Sequence, residues 1–513
     1  MTEELPNNEL ARRRNLAFAM GGAERMAKVH AAGKLSARER IAVLLDPGSF
    51  EETGVLAHSQ FAGFRDRTPA DGVVTGSGKV DGRRIFVMAD DPSVLAGTRG
   101  RVAEEKLFRI KELALRERHP IVMLNEAGAA RVQESNGAYA AGLGRVFEQH
   151  FQLSGVVPQV SLHMGACFGG PSFVGAMGDA TFMVKGTGFM GMSGPPLVKV
   201  GIGVDLSPEE IGGVDMATRQ TGQVDYLAED EVSALKAVRR YLSYFPSNCD
   251  EKPPSAESRI CPGDTPEGRE QLARIVPDNH RRSYSVLSLI GLLADEDSVF
   301  VLGAEYGKSL ATALARINGE SVGVVASNPG HRAGVMDEKT AIKARKFVDL
   351  CDAFHIPLIF LCDTPGFLVG PEIERQRMVS HCARLLTSVM TASVPKITVV
   401  TRKAIGMAYI VMCGRACRPN LIVAWPGALF DVMGPEAGVM LAFEREIKSA
   451  ADPEARKKEY LAQFESAASC YEAAGLALID DVISPGETRQ VIINALARAR
   501  DCDRKGFKHF VSP

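Results

Sequence analysis

Short apolar runs alternate with stretches of helical periodicity along most of this chain. The apolar runs occupy 85–88, 121–124, 160–163, 182–184, 321–326, 358–362, 397–400 and 421–424. Between them lie helical patterns, of which 103–116 is the clearest because Leu107, Ile110 and Leu113 share one face. This alternation is typical of parallel strands covered by helices, and it predicts an α/β fold.

Helical patterns also flank the alternating region at both ends. Residues 7–45 have a basic, helical pattern, in which Ser36 and Glu39 form a capping box that predicts a helix start. The Asp-Pro-Gly-Ser segment at 46–49 ends that helix. At the other end, the pattern over 487–505 predicts a helix that closes the chain.

The chain contains an internal repeat with a constant spacing, which is the separation of Pro120 from Pro357. Four pairs of segments keep this repeat spacing: 96–97 and 333–334, 119–124 and 356–361, 157–160 and 394–397, and 168–170 and 405–407. A constant spacing over about three-quarters of a half predicts two copies of one domain. A duplicated domain brings two copies of its site, and those copies can hold two different reactants.

A change of composition separates the two copies. Between 250 and 266, proline and charged residues replace the apolar periodicity. Such a segment is typical of a linker between domains. We therefore expect two domains, 1–255 and 256–513.

Composition and charge exclude several classes of protein. The 513 residues are 45% hydrophobic and 24% charged, which is ordinary for a globular protein, and the net charge of −2 predicts no nucleic-acid surface. No apolar run reaches the roughly 18 residues of a membrane span, and the acidic start at 1–6 differs from a secretory signal. Ten scattered cysteines favour reduced thiols in the cytoplasm over a disulfide framework, and Cys413 and Cys417 lack the further ligands of a zinc site.

Two glycine turns come after apolar strands at equivalent places in the two copies. The first, 165–171, includes Gly169 and Gly170, and the second, 403–409, includes Gly406. A glycine turn between a strand and a helix can direct backbone N–H groups at an oxyanion. It can equally be a packing turn that needs small residues. The residues alone leave both interpretations open.

Acidic residues come after strands at a second pair of equivalent positions, Glu126 and Asp363. Ligands usually bind at the carboxyl ends of parallel strands, but a carboxylate there can also cap a helix N-terminus. His163, His331 and His381 have apolar neighbours, which favours structural or surface histidines over catalytic bases. The sequence contains no Ser-His-Asp set, HExxH motif or Walker loop.

Many ordered motifs of the chain are similar to those of one family. They are 33–40 (GKLSARER), 44–50 (LLDPGSF), 130–134 (ARVQE), 194–195 (GP), 210–213 (EIGG), 328–329 (NP), 351–354 (CDAF), 363–368 (DTPGFL), 394–396 (VPK), 401–404 (TRKA), 424–426 (AWP) and 432–434 (VMG). Together they resemble the carboxyltransferase (β) subunits of biotin-dependent acyl-CoA carboxylases, such as propionyl-CoA and methylcrotonyl-CoA carboxylase. The resemblance covers nearly the whole chain.

The resemblance implies an α/β fold of two tandem crotonase-like β-β-α superhelix domains, which pair across a dimer interface. Acyl-CoA occupies the N-terminal domain and carboxybiotin the C-terminal one. Carboxybiotin loses CO2, the biotin enolate takes the α-proton of the thioester, and the thioester enolate attacks CO2. Paired backbone amides stabilise both enolate oxygens, so side chains do little proton transfer.

The family's site residues can be carried over motif by motif. The catalytic amides fall on Gly169, Gly170, Met407 and Ala408, and the biotin-binding positions fall on Gly406, Phe367 and Tyr409. The thioester side corresponds to the first two amides and the biotin side to the other positions. The resemblance implies no metal in this chain.

Several of these loops depart from the family pattern. Short-chain members usually have Tyr-Gly-Gly-Ala-Tyr at 405–409, where this chain has Ile-Gly-Met-Ala-Tyr. Other departures fall at 127–131 (Ala-Gly-Ala-Ala-Arg), Ala217, Asn420 and 375–377 (Arg-Gln-Arg). They argue against the ordinary propionyl or acetyl substrate, and we expect a medium-chain, branched or polar acyl-CoA.

The resemblance also implies partners. The chain has no Ala-Met-Lys-Met biotinylation motif, so a separate biotin carboxylase and biotin carboxyl carrier subunit is expected to supply carboxybiotin. A dimer is the minimal assembly and a hexamer the common one, in the cytoplasm or, in a eukaryote, in the mitochondrial matrix. Two alternatives stay open: a decarboxylase subunit that runs the reaction in reverse, and a low-activity homologue that acts as a scaffold.

Overall fold

The computed structural model describes residues 6–142, 144–500 and 511. Contacts divide these residues into two compact units, one formed by 6–252 with Val511 and the other by 253–500. The division falls between residues 252 and 253, whereas the change of composition predicts it between 255 and 256. Within the described ranges, no helix combines the length and the apolar character needed to cross a bilayer.

The first unit is a mixed sheet with helices around it. Its helices are α1 (Pro6–Phe18), α2 (Ala23–Ala31), α3 (Ala37–Leu44), α4 (Arg101–Glu117), α5 (Val132–Ser135), α6 (Arg145–Leu153), α7 (Gly170–Ala176), α8 (Pro195–Ile202), α9 (Pro208–Gly212) and α10 (Glu231–Leu242). Its strands are β1 (Glu51–Thr53), β2 (Val73–Val80), β3 (Arg83–Asp90), β4 (Ile121–Asn125), β5 (Gln159–His163), β6 (Ala166–Phe168), β7 (Ala180–Val184), β8 (Phe189–Gly191) and β9 (Tyr226–Ala228). The main sheet has the order β1-β2-β3-β4-β5-β7-β9, and β6 pairs separately with β8.

The second unit repeats this plan. Its helices are α11 (Pro266–Ile275), α12 (Val286–Leu293), α13 (Glu338–Ala353), α14 (Pro371–Arg375), α15 (Met378–Thr391), α16 (Gly406–Val411), α17 (Pro435–Ser449), α18 (Pro453–Ala467), α19 (Cys470–Gly475) and α20 (Thr488–Ala499). Its strands are β10 (Phe300–Leu302), β11 (Leu310–Ile317), β12 (Glu320–Ser327), β13 (Leu358–Thr364), β14 (Lys396–Ile405), β15 (Leu421–Ala424), β16 (Leu429–Asp431) and β17 (Asp481–Val482). The sheet order is β10-β11-β12-β13-β14-β15-β17, and β16 pairs with the far end of β14.

The repeat spacing holds only in the middle of each copy. Strands β2 and β3 coincide with β11 and β12 at this spacing, residue for residue. Strands β1 and β10 are farther apart than the repeat spacing, because 54–72 separates β1 from β2 whereas only 303–309 separates β10 from β11. Strands β7 and β15 also break the spacing. The constant spacing therefore covers less of each half than the sequence predicts, since insertions in surface connections leave the core unchanged.

The strands that the apolar runs predict have parallel neighbours, as expected: β3, β4, β5 and β7 in the first sheet and β12, β13, β14 and β15 in the second. Strands β1, β2, β10 and β11, which the apolar runs do not predict, add antiparallel pairs at the start of each sheet. The connections β2–β3 and β11–β12 are the two-residue turns Asp81-Gly82 and Asn318-Gly319, in which all four residues have positive φ. Asp-Gly and Asn-Gly are the strongest hairpin signals in a sequence, and they mark these two antiparallel hairpins.

The helices cover the sheets through buried apolar faces. In the first unit, Leu107 and Ile110 of α4 and Leu153 of α6 pack on Met88 and Met123 of the sheet. In the second unit, α12 and α20 pack on β11 to β15. Helix α4 and the predicted strands are confirmed.

The capping box that begins α3 is also confirmed, because the N–H of Glu39 donates to Ser36 Oγ at 3.2 Å and the N–H of Ser36 donates to Glu39 at 2.7 Å. The helix predicted over 487–505 is present as α20. Its predicted part beyond residue 500 lies outside the described residues.

Candidate active site

The two glycine turns have the same backbone geometry. In the first unit, β6 ends at Phe168, and Gly169 turns the chain into α7 with a φ of +72°. In the second, β14 ends at Ile405, and Gly406 opens α16 with a φ of +59°. A positive φ strains any residue with a side chain, and a Cβ on Gly406 would also lie 2.8 Å from the carbonyl oxygen of Val432. We call 168–172 the first corner and 405–409 the second corner.

At the first corner, one of the two expected amides is already engaged. The N–H of Gly169 donates to the carbonyl of Gly191 at 2.9 Å, so it holds the turn together. The N–H of Gly170 begins α7 and has no acceptor among the described residues, as is usual in the first turn of a helix. The next residue, Pro171, has no N–H. The first corner therefore offers the amide of Gly170 alone.

At the second corner, both expected amides are unpaired. Met407 and Ala408 lie in the first turn of α16, and neither N–H has an acceptor in the part of the chain that the structure describes. Ala408 is fully buried, whereas Met407 is 51% exposed. The second corner therefore carries two adjacent donors close to the surface, a combination that can bind a carbonyl oxygen.

The loops after β4 and β13 carry further amides that sequence reasoning did not identify. Ala129 and Gly366, which are related by the repeat spacing, both have a positive φ, +69° and +134°. Their carbonyls accept equivalent backbone bonds, from Arg99 at 3.0 Å and from Met336 at 3.1 Å. The N–H of Ala129 has no described acceptor, and that of Gly366 makes only a long 3.4 Å bond to Thr364 Oγ1.

Ala129 lies beside the first corner, because a Cβ on Gly169 would be 4.0 Å from the Cβ of Ala129. The signal that could have found this position is the repeat itself. Gly366 is a glycine after a strand, which indicates an unusual φ. Alanine at the equivalent position 129 hides the same conformation.

The two aromatic residues expected near biotin have different environments. The Tyr409 ring packs edge-on against Phe430 at 5.5 Å between centroids, and its hydroxyl accepts from the N–H of Arg415 at 3.4 Å. Burial raises the pKa of Tyr409 to about 12, so the phenol stays neutral. Phe367 is half-buried in the loop after β13 and forms a β-bridge with Met336. Both therefore contribute apolar surface rather than charge.

The buried carboxylates at the ends of β4 and β13 form ion pairs with lysine and arginine side chains. Glu126 accepts from Lys34 Nζ at 2.5 Å and from Arg40 Nη2 at 2.6 Å. Asp363 accepts from Arg402 Nε at 3.1 Å. The helices after these loops, α5 and α14, begin at other residues without a side-chain cap. The helix-capping interpretation of the two carboxylates is therefore wrong.

The titratable groups closest to the first corner are held in neutral forms. Burial raises the pKa of the Cys167 thiol to about 12, so it is not a thiolate nucleophile near neutral pH. Burial lowers the pKa of His163 to about 4, so its ring is uncharged. His163 is completely buried, whereas His331 and His381 are partly exposed. These groups leave backbone amides as the chemical feature of the corner.

The cysteine pair of the second unit does not resemble a metal centre. Cys413 and Cys417 are buried free thiols, and Cys417 Sγ donates to the carbonyl of Ile410 at 3.2 Å. Within the described ranges, no group of three or more His, Cys, Asp or Glu side chains is arranged as metal ligands would be.

Apolar side chains are exposed next to both corners. A Cβ on Gly169 would lie 3.8 Å from the carbonyl of Met192, just as Gly406 approaches Val432. Met192 is 70% exposed and Val432 is 79% exposed. The next helices along the chain, α8 and α17, expose Leu197, Val200, Ile202, Met440 and Leu441. Contiguous exposed apolar surface of this kind marks an interaction site.

The chain matches the carboxyl transferase domain family over residues 28–510. It is 38% identical over 498 residues to the carboxyltransferase subunit of propionyl-CoA carboxylase from Haloferax mediterranei, with 96% of each chain covered. It is 36% identical over 479 residues to the α subunit of methylmalonyl-CoA decarboxylase from Propionigenium modestum, with 93% of this chain and 92% of that one covered. A solved structure of the transcarboxylase 12S hexamer, with methylmalonyl-coenzyme A and methylmalonic acid bound, has a TM-score of 0.91 at 36% identity, over 99% of this chain and 98% of that one.

These similarities extend over both units. The likeness to the transcarboxylase structure confirms the expected pair of tandem crotonase-like domains. The resemblance inferred from the ordered motifs is confirmed by the family match and by the relatives. The chain therefore belongs to the carboxyl transferase family, with the carboxyltransferase subunits of biotin-dependent acyl-CoA carboxylases, and is an enzyme that transfers carboxyl groups.

Proposed function

We propose that this protein moves a carboxyl group from carboxybiotin, carried by a partner subunit, to the α or vinylogous carbon of an acyl-CoA. The observation that carries the proposal is the pair of equivalent corners with unpaired backbone amides, at Gly170 and at Met407 and Ala408. Fixed donors of this kind stabilise an oxygen that becomes negative in the transition state. The neutral Cys167 and His163 agree with a site that works through its backbone.

The first corner suits the thioester of an acyl-CoA. We assign the N–H of Gly170 and the N–H of Ala129 as the two donors to the thioester oxygen, and we give Gly169 the role of shaping the turn. A Cβ on Gly170 would lie 3.8 Å from Phe147 Cζ, and the Phe147 ring packs edge-on against Phe173 at 5.9 Å. These rings give the acyl group an apolar wall.

The second corner suits the ureido ring of biotin. Met407 and Ala408 offer adjacent donors, Gly406 shapes their turn, and Phe367 and Tyr409 supply apolar surface. Neutral donors between apolar groups fit an uncharged ring that bears one carbonyl oxygen. When bound, carboxybiotin supplies the carboxyl group and a ureido nitrogen that accepts the α-proton. The residues of this chain hold and polarise the reactants and require no metal.

Decarboxylation, the reverse reaction, is the alternative that one of the two relatives supports. One relative is a propionyl-CoA carboxylase subunit and another is a methylmalonyl-CoA decarboxylase subunit, at 38% and 36% identity. Carboxylation predicts copurification with an ATP-dependent biotin carboxylase, whereas decarboxylation predicts copurification with a membrane subunit. A panel of acyl-CoAs that includes propionyl-CoA then identifies the acyl group. A scaffold without activity predicts no turnover with any of them.

We further propose that this protein forms a dimer or hexamer and works in the cytoplasm. A dimer or hexamer would bury the exposed apolar side chains beside the corners, and the transcarboxylase relative is a hexamer. The partner is a biotin carboxylase with its biotin carrier. The nine cysteines that the structure describes are free thiols, which is usual in the cytoplasm.

A substitution at Gly170 tests the assignment. Gly170 has no positive φ, and a Cβ there meets only Phe147, in ordinary contact, so Gly170→Val should fold. Its methyl groups would stand in the space before the amide, and loss of a fixed donor typically lowers kcat by about 100-fold or more. The measurement is carboxyl transfer to biotin from a panel of carboxylated acyl-CoAs such as methylmalonyl-CoA, with oligomer size checked by light scattering.

The matched control is Gly291→Val on α12, where a Cβ would have no atom within 4 Å. This variant should keep wild-type turnover. Full activity in Gly170→Val would contradict the assignment of the first corner.

A further inference from the structure

The pairing of β13 with β14 is interrupted where the second corner begins. The register shifts between residues 362 and 364, so that Asp363 faces Thr401, Arg402 and Lys403 instead of a single residue. This is a β-bulge, which bends a strand and redirects the chain after it. The carboxylate of Asp363, which is completely buried, accepts a hydrogen bond from Arg402 Nε at 3.1 Å, while Arg402 Nη2 and Lys403 Nζ lie 3.0 Å and 3.7 Å away.

The first unit has a similar arrangement, in which other basic side chains pair with the carboxylate. Strand β5 ends at His163 and β6 begins at residue 166, which interrupts the strand opposite Glu126. Glu126 accepts from Arg40 Nη2 at 2.6 Å and from Lys34 Nζ at 2.5 Å. Gly165 leaves the room for this carboxylate, since a Cβ there would overlap the Glu126 side chain.

The basic residues that pair with the two carboxylates come from different segments of the two units, although the arrangement around each carboxylate is similar. At the repeat spacing, the positions equivalent to Arg402 and Lys403 are Gly165 and Ala166, which carry no charge. Arg40 instead comes from α3, at the N-terminal end of the unit. A buried carboxylate with one arginine and one lysine at ion-pair distance therefore occurs at equivalent positions of the two units, and its basic residues come from unrelated segments.

Each carboxylate lies on one of the two segments that provide amides to its corner. Asp363 comes three residues before Gly366, and Lys403 comes four residues before Met407. Glu126 comes three residues before Ala129 and, at its interrupted strand, faces the segment that leads to Gly170. In the second unit, the charge-assisted bond from Arg402 to Asp363 joins the two amide-bearing segments and thereby sets the distance between the donors. In the first unit, the bonds from Arg40 and Lys34 join the loop of Glu126 and Ala129 to the segment at the start of α3, which holds the Ala129 amide against the fixed turn at Gly169.

We propose that Asp363 with Arg402 and Lys403, and Glu126 with Arg40 and Lys34, are positioning residues that fix the spacing of the backbone donors at their own corner. This inference rests on the proposed function of the corners. Both oxygens of Glu126 accept from basic side chains, whereas Asp363 accepts through Oδ2 and has Lys403 Nζ 3.7 Å from Oδ1. Each set acts on one corner only, because each lies wholly within one unit.

The test compares Lys403→Met with Lys34→Met in the full-length protein. Both lysines are partly exposed, so their loss leaves the buried Asp363–Arg402 and Glu126–Arg40 pairs in place. Hydrogen–deuterium exchange is measured at the amides of 128–131, 169–172, 364–368 and 406–409. We expect Lys403→Met to accelerate exchange at the last two segments only, and Lys34→Met at the first two only, by about tenfold or more.

Kinetics provide the second readout, as transfer from methylmalonyl-CoA to free biotin. We expect each variant to lower kcat by about 10- to 100-fold, with the two KM values within threefold of wild type. Lys403→Arg, which keeps the charge, should recover most of kcat. A purely structural role would instead lower the amount of folded enzyme and leave kcat per folded site unchanged.

Two control variants change buried charged residues near the opposite end of β14. Lys396 of β14 is a buried lysine whose Nζ donates to the carbonyl of Val389, and the buried Asp352 accepts from the N–H groups of Ser393 and Val394. Lys396→Met and Asp352→Asn should leave kcat and exchange at the corners as in wild type.

Unchanged exchange in both lysine variants, or equal acceleration at both corners from either one, would overturn the inference. A wild-type enzyme that transfers no carboxyl group to biotin would instead refute the proposed function. The exchange data would still decide whether the two sets hold the corners in place.

Discussion

Single residues with positive φ determine where the amides of this enzyme point. Ala129 and Gly366 share this conformation at the repeat spacing, and so do Ala96 and Ala333, with φ of +56° and +54°. A left-handed conformation in a residue other than glycine costs about 1–3 kcal/mol and persists only where the surrounding structure enforces it. Such strain occurs in both copies before α4 and α13, at Ala96 and Ala333, and in the amide loop of the first unit, at Ala129.

Because His163 is buried, we predict that the stability of the first unit decreases at acidic pH. Burial lowers the pKa of His163 from 6.5 to about 4, so the unfolded chain binds a proton that the folded chain rejects. Stability is complete above about pH 6.5 and declines by about 3 kcal/mol as the pH falls toward 4. His163→Val, which places the residue found at the equivalent Val400, should reduce this decline.

The measurement is urea unfolding at pH 7 and pH 5, combined with exchange in the first unit. The buried His150, whose pKa is also lowered by burial, leaves part of the slope in the variant. Identical pH slopes for wild type and His163→Val would contradict the prediction.

Among the elements, a buried lysine joins each long helix to the start of a strand. Lys106 of α4 and Lys343 of α13 are related by the repeat spacing. Lys106 donates to the carbonyls of Ala70 and Val73, and Lys343 to those of Gly303, Tyr306 and Leu310. These carbonyls belong to the turns that lead into β2 and β11, so each lysine determines where its hairpin begins.

Lys343→Met should destabilise the second unit more than Lys106→Met destabilises the first. Each buried carbonyl that loses its donor costs about 1–3 kcal/mol, and Lys343 serves one carbonyl more. The measurement is the free energy of unfolding in urea, resolved by exchange in each unit. Lys308→Met, which removes an exposed pair with Glu305 at 2.8 Å, is the control and should cost under about 1 kcal/mol. Equal losses in the two buried variants would refute the ranking.

Across the molecule as a whole, duplication gives the proposed reaction one corner for each of its two reactants. The two units share the hairpins, the corners and the amide loops at one spacing. They differ in the length of the connection after the first strand and in the helices α17 and α18, which extend the second unit after its corner. The common core keeps the donors in place, and the differing connections are free to adapt each corner to its own ligand.

The exposed apolar side chains predict that assembly depends on the helices beside the corners. Val200 of α8 is 83% exposed, so Val200→Asp should fold normally yet dissociate the oligomer and lose carboxyl transfer. The measurement is the molar mass by light scattering. Ile260→Asp, at a 73% exposed residue near the N-terminal end of the second unit, should keep the wild-type mass. A Val200→Asp protein with an unchanged mass would show that α8 lies outside the interface.

Patterns along the chain were sufficient to establish the elements, the duplication and the family, because these depend on local periodicity, turn residues and ordered motifs. The glycine corners were predicted for the same reason. The hairpin turns Asp81-Gly82 and Asn318-Gly319 are equally clear signals, and they indicate the antiparallel strands β2 and β11 that the apolar runs do not predict.

Which amides lack an acceptor, and which side chains pair with the buried carboxylates, became clear from the folded molecule alone. The bond from Gly169 to Gly191 engages one of the expected donors, and the N–H of Ala129 has no described acceptor. Lys34 and Arg40 reach Glu126 from a distant part of the chain. Hydrogen bonds between such distant segments depend on how the sheet and helices pack, and no pattern of neighbouring residues records that packing.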